Sequence, residues 1–165
     1  MLKLAGAILL IAAGAFAGSM ESHRLTVRVR KLEAFLRFLS SAKTEIRYSA
    51  MPVAGIVEKH GGELSFLSAC AERCADGEDW PAAWSAAVNE KAGIEGFFSK
   101  DLELLRGFGA DFGASDTEGQ LSHCSLYADL TAAALEGAKE DRNRKSKLYQ
   151  MLGIFAGMAA ALLLC

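Results

Sequence analysis

The sequence predicts an all-α protein: a membrane-anchored helical bundle in which two long antiparallel stalk helices are continuous with N- and C-terminal transmembrane helices. Three observations predict it. Both ends of the chain are almost free of charge while the middle is crowded with it. Only Pro52 and Pro81 interrupt 165 residues, and β-branched residues are scarce. Between Leu25 and Ile46, the apolar residues Leu25, Val29, Leu32, Leu36, Leu39 and Ile46 recur four and three apart, with Lys43 in one slot. That is an a/d seam of three heptads.

The ends come first. Leu4 to Gly18 carry no charge, nor do Met151 to Cys165. All 20 acidic residues lie between Glu21 and Asp141, and every basic residue but Lys3 lies between Arg24 and Lys147. Water solvates such a middle, and something apolar must solvate the ends. The N-terminal run also fits a cleaved secretory leader, with Lys3 as its basic region and Ala15-Phe16-Ala17 as a small-x-small site. The other end decides between them. With Leu148 and Tyr149 it makes about 18 residues, roughly 27 Å of helix, preceded by a basic cluster. The alternative there is a buried hydrophobic helix.

The expected divisions are an N-terminal transmembrane helix at 1–19, a cytoplasmic helical domain at 20–147 and a C-terminal transmembrane helix at 148–165. Orientation follows from loop charge. Arg24, Arg28, Arg30, Lys31 and Arg37 follow the first span, and Lys139, Arg142, Arg144, Lys145 and Lys147 precede the second. Cations stay cytoplasmic, so the middle is cytoplasmic and both termini face outward. Gly14-x-x-x-Gly18 and Gly153-x-x-x-Gly157 have the spacing of close membrane-helix packing faces.

Phe35 and Phe38 widen the apolar face of the first long helix, which stops before Pro52. A short helix from Pro52 to His60 ends at Gly61-Gly62. Another runs from about Glu63 to Ala75 with Leu64, Leu67, Ala71 and Cys74 on one face. Asp76 to Asp79 is a turn. Asp79 caps a helix carrying Pro81, Trp80, Trp84 and Val88. A further helix spans Ile94 to Phe108. Gly107, Gly109 and Gly113 loosen the chain, and Ser115-Asp-Thr-Glu118 reads as a capping box. It opens a helix from Asp116 to Tyr149 that feeds into the second span. From Ile56 to Glu136 there are 15 acidic and 5 basic residues, a net of −10. Such a surface suits a basic partner. The overall charge of −2 gives no reason to expect nucleic acid.

No catalytic, phosphate-binding or dinucleotide pattern occurs, so neither enzymatic activity nor a cofactor is expected. Cys70 and Cys74 sit four apart and could each ligate zinc, with His60, His123 or Cys124 completing a site. Helix-core thiols in a reduced compartment explain them more simply, and no metal is expected. Trp80 and Trp84 read as packing residues, and Glu118 as part of a cap.

The chain resembles the stage III sporulation protein AB family of endospore-forming bacteria. The resemblance lies in Met1-Leu2-Lys3-Leu4-x-Gly6-Ala7, in Glu45-Ile46-x-Tyr48 before Pro52, and in Lys147-Leu148-Tyr149-x-x-Leu152-Gly153-x-x-x-Gly157. It lies above all in Gly109-x-x-x-Gly113-x-Ser115-Asp116-x-x-x-Gln120. It implies a cytoplasmic domain similar to the inner-membrane platform proteins of type II secretion. It also implies a place in a channel complex in the mother-cell membrane facing the forespore. The implied partners are a cytoplasmic secretion-type ATPase and other, ring-forming membrane proteins. The expected partner interface is Tyr48, Gly109, Asp111, Gly113, Asp116 and Gln120. The alternative is a membrane-anchored dimeric regulator or receptor unrelated to secretion, its coiled seam forming a homo-oligomer.

Overall fold

The computed structural model describes residues 2–49 and 51–164; the side chains of residues 2–5, 7, 8, 10, 11, 17, 146, 150, 153, 157 and 160–164 lie outside the description. The expected packing glycines Gly153 and Gly157, and Cys165, are among the positions left out. The described residues form helices and no strand: α1 Leu2–Tyr48, α2 Val53–His60, α3 Ser65–Ala75, α4 Trp80–Ala87, a π-helical turn Val88–Ala92, α5 Gly93–Glu95, α6 Ser99–Asp111 and α7 Thr117–Leu164. Among the described residues, no helix is long and apolar enough to cross a membrane.

By contacts the chain divides into two units, one of residues 1–29 with 137–165, the other Arg30–Glu136. In the first, Leu25, Val29 and Ala138 are buried. Asp141 pairs with Lys145 at 2.7 Å and lies 3.8 Å from Arg28. Gly14 is half-buried and Gly18 buried.

The second unit is built on aromatic rings. Phe108 is its hub. The Phe35, Trp84, Phe112 and Tyr127 rings lie at centroid distances of 5.6, 5.4, 4.5 and 5.5 Å from it. Phe66 meets Trp84 edge-on at 5.6 Å and Phe97 at 5.9 Å. Such pairs each contribute about 1 kcal/mol beyond their burial.

This hub widens the buried face of α1 beyond its heptad seam. Leu32 and Leu39 of the seam are buried together with Phe35, Phe38 and Ala42, whereas the seam positions Leu36, Lys43 and Ile46 are only half-buried. A seam against one partner helix would centre on a and d. Here several short helices crowd α1, and the larger rings take the centre. The same reasoning corrects α3. Its core face is Phe66, Leu67 and Cys70, and Ala71 and Cys74 sit at the margin.

The expected helix from Ile94 to Phe108 is also redrawn. The chain stays helical through the π turn to Glu95, then stops at Gly96 with φ +111°. Gly96 N–H reaches Gly93 O at 3.3 Å and Phe97 N–H reaches Ala92 O at 3.2 Å. That pair of bonds is a Schellman stop, which needs the left-handed conformation glycine supplies and an apolar residue after it. Ile94 consequently faces solvent. The next helix, α6, begins at Ser99, where the buried Asp101 carboxylate accepts the Phe98 N–H at 2.8 Å.

Candidate functional site

The turn joining α6 to α7 and the helix ends that flank it carry five of the six residues expected at a partner surface, Gly109, Asp111, Gly113, Asp116 and Gln120. The sequence dictates its shape. Gly109 sits inside α6, buried under Trp84; a Cβ there would lie 2.0 Å from Trp84 Cδ1. The gap left by the missing side chain is what lets the indole reach the backbone. Trp84 Nε1–H donates to Leu105 O at 2.8 Å, and Trp80 Nε1–H to Gly109 O at 3.0 Å.

Gly113 then reverses the chain at φ +94°, and its bare Cα faces Val53. Its N–H donates to Gln120 Oε1 at 2.9 Å, while Gln120 Nε2 donates to Ser115 Oγ at 3.2 Å. The buried Gln120 side chain therefore ties the turn shut. The helix cap falls one residue later than the capping-box reading. Asp116 Oδ1 accepts the Gly119 N–H at 2.9 Å, α7 starts at Thr117, and Glu118 is exposed. Aspartate supplies two acceptor oxygens at the cap and complements the helix dipole, so it displaces Ser115.

Gly109 and Gln120 are thus committed to packing and to the turn. Asp111, Gly113 and Asp116 are exposed, and Tyr48 is 77% exposed at the end of α1. The end of α1 and the start of α7 lie side by side. Lys43 and Arg47 line one groove with Thr117, Glu118, Leu121, Ser122 and Ser125.

Behind Tyr48 lies a polar hub that sequence reading placed only as part of a motif. Glu45 is buried. Lys59 Nζ donates to its Oε1 at 2.7 Å, His60 Nε2 to the same oxygen at 2.8 Å, and Ser49 Oγ to Oε2 at 2.6 Å. The Lys59 ammonium first, then Ser49 and His60, hold the Glu45 carboxyl down at about 2, below its ordinary 4.5. A carboxyl with a depressed folded pKa stabilises the fold fully above its unfolded pKa. That stabilisation is lost as pH falls through the folded value. Glu45→Gln is therefore expected to flatten the fall in melting temperature of the full chain between about pH 5 and about pH 2. A variant that melts in parallel with the native chain across that window would show that the hub does not couple to folding.

The thiols are set by burial. Burial, then the neighbouring Cys74, pushes Cys70 up to about 12; burial pushes Cys124 up to about 11. Such thiols stay protonated at neutral pH and are poor nucleophiles and metal ligands. Among the described residues, no three His, Cys, Asp or Glu side chains converge on a point that could hold a metal ion.

The family model described as stage III sporulation protein AB matches residues 3–165. The chain belongs to the stage III sporulation protein AB family. That membership places its role in sporulation. The stage III sporulation protein AB of Bacillus subtilis (strain 168) is 25% identical to it over 170 residues, covering 99% of each chain. No solved structure matches it. The match runs through both charge-free ends and the folded unit alike, and includes the Gly109–Gln120 turn.

Proposed function

We propose that this member of the stage III sporulation protein AB family is a non-enzymatic membrane platform of the mother cell–forespore channel. Its charge-free ends anchor it in the mother-cell membrane as two transmembrane helices. The unit Arg30–Glu136 stands in the cytoplasm and links a secretion-type ATPase to the ring of membrane proteins. The observation that carries this reading is the α6–α7 turn. Its scaffold is fixed by Gly109, Gly113 and Gln120, and it presents the exposed carboxylates Asp111 and Asp116. A rigid turn with acidic side chains suits a docking partner better than bond-making chemistry, which needs convergent groups in a cleft.

The test is recovery of the full chain from membranes of sporulating cells. It is expected to sediment with the membrane and to bring an ATPase with it. Asp111→Lys together with Asp116→Asn should lower that recovery about tenfold, a loss of about 1.4 kcal/mol. Asparagine at 116 keeps the cap, so helix content should not change. Recovery of the chain alone, or undiminished ATPase with the double variant, would favour a self-associating regulator and overturn the platform reading.

A further inference from the structure

On α7, Leu126, Leu130 and Ala133 follow one another four and three residues apart, and all three are exposed, the leucines at 55% and 46%. The opposite face of the same helix is already used, since Leu121, Cys124, Thr131 and Leu135 are buried. One exposed leucine is ordinary, but two stacked a turn apart with an alanine beyond them form a stripe. The carboxylates of Asp129 and Glu136 are exposed on the same stretch of helix.

A groove of about 380 Å³ on the same unit has the complementary make-up. Leu36 and Ala128 give it apolar lining, Ser40 and Thr44 give hydroxyls, and Tyr48 gives an aromatic wall. Its cations are Lys43 and Arg47. Neither has an ion-pair partner among the described residues, whereas Lys31, Arg37, Lys59 and Arg73 each meet a carboxylate. Cations left uncommitted along an apolar groove are suited to carboxylates arriving on another surface.

We propose that these two surfaces bind each other between copies of this chain, the Leu126–Leu130 stripe of one copy seating in the Lys43–Arg47 groove of the next. Charge fixes the direction. Groove against groove sets cation on cation, and stripe against stripe sets carboxylate on carboxylate; only stripe in groove brings Asp129 to Lys43 and Arg47. The two surfaces differ, so the contact is heterologous. Each added copy leaves one groove and one stripe open, and the copies form a row or close into a ring. The assembly does not depend on the ATPase link and outlasts its failure.

The test uses the full chain in membranes, in two differently tagged forms, one carrying Ser40→Cys and the other Leu130→Cys. A bismaleimide should join unlike copies at least tenfold above the chain without added cysteine, and above either form mixed with itself. Lys43→Glu with Arg47→Glu should lower the yield about tenfold. Asp129→Lys with Glu136→Lys in the facing copy should restore it, which a misfolded groove could not do. Like-with-like cross-links of equal yield would show a two-fold dimer instead. An unlike yield at background, or one unmoved by the charge reversal, overturns the proposal. So does a groove variant that keeps its cross-link but loses attachment to anionic vesicles, which would give the groove to lipid headgroups.

Discussion

Trp84→Ala is expected to lower the unfolding free energy of the folded unit by about 3–5 kcal/mol, the usual cost of emptying a buried aromatic site. Trp84 is 1% exposed, touches Phe66, Trp80 and Phe108, and donates to Leu105 O. The informative comparison is with Gly109→Ala. Alone, that methyl would sit 2.0 Å from the Trp84 ring, and α4 must move away from α6. Overpacking of that kind costs about 1–3 kcal/mol. With Trp84 already truncated, the clash disappears and alanine's helix preference, about 1 kcal/mol over glycine, remains. The effect of Gly109→Ala should therefore change sign between the two backgrounds. Urea unfolding of the full chain followed by far-ultraviolet circular dichroism measures all four corners of the cycle. Additive costs would mean that the indole and Gly109 do not share the space the structure gives them.

Glu95→Ala should cost about 2–4 kcal/mol, from hydrogen bonds to a charged group lost at a helix start. Helix α3 has Leu64 at its N-cap, which offers no side-chain acceptor. Glu95 substitutes from across the unit. Its Oε1 accepts the Ser65 N–H at 2.8 Å and the Lys31 ammonium at 2.8 Å, and its Oε2 faces the Phe66 N–H at 3.3 Å. One carboxylate thereby closes α3, ties α1 to the end of α5 and complements the helix dipole. Glu95→Gln, which keeps one acceptor oxygen, should lose about half as much. Amide hydrogen exchange at Ser65 and Phe66 should quicken at least tenfold in Glu95→Ala. Native exchange rates at those two amides would mean that water caps α3 equally well.

The long helices, the stop before Pro52 and the glycine-rich joint before α7 were legible because each is local. A proline removes a donor, a heptad repeats, and a carboxylate precedes a helix. What sequence reading missed is long-range. Nothing near Leu64 announces that Glu95 will cap it, since the two are brought together only by packing. Spacing alone misplaces the face of α3 because it weighs Ala71 and Cys74 like Phe66, whereas burial favours the ring with the larger apolar surface. The end of α5 was nearer to hand. Gly96 followed by Phe97 is the pattern of a glycine stop with an apolar residue behind it, and it marks the break more sharply than the apolar run that begins at Ile94. At the expected interface, the glycines and Gln120 carried a structural signal as strong as any functional one. Only the fold separates Gly109 and Gln120, which are spent on the scaffold, from Asp111, which is exposed, and from Asp116, which is exposed while one of its oxygens caps α7.

The chain's two tryptophans, Trp80 and Trp84, both lie in α4, 5.3 Å apart, and both indoles hydrogen-bond to carbonyls of α6. All tryptophan emission from the protein thus originates at a single helix–helix seam. The colour and brightness of that light form a built-in gauge of whether α4 rests on α6, readable in the full chain without any attached dye.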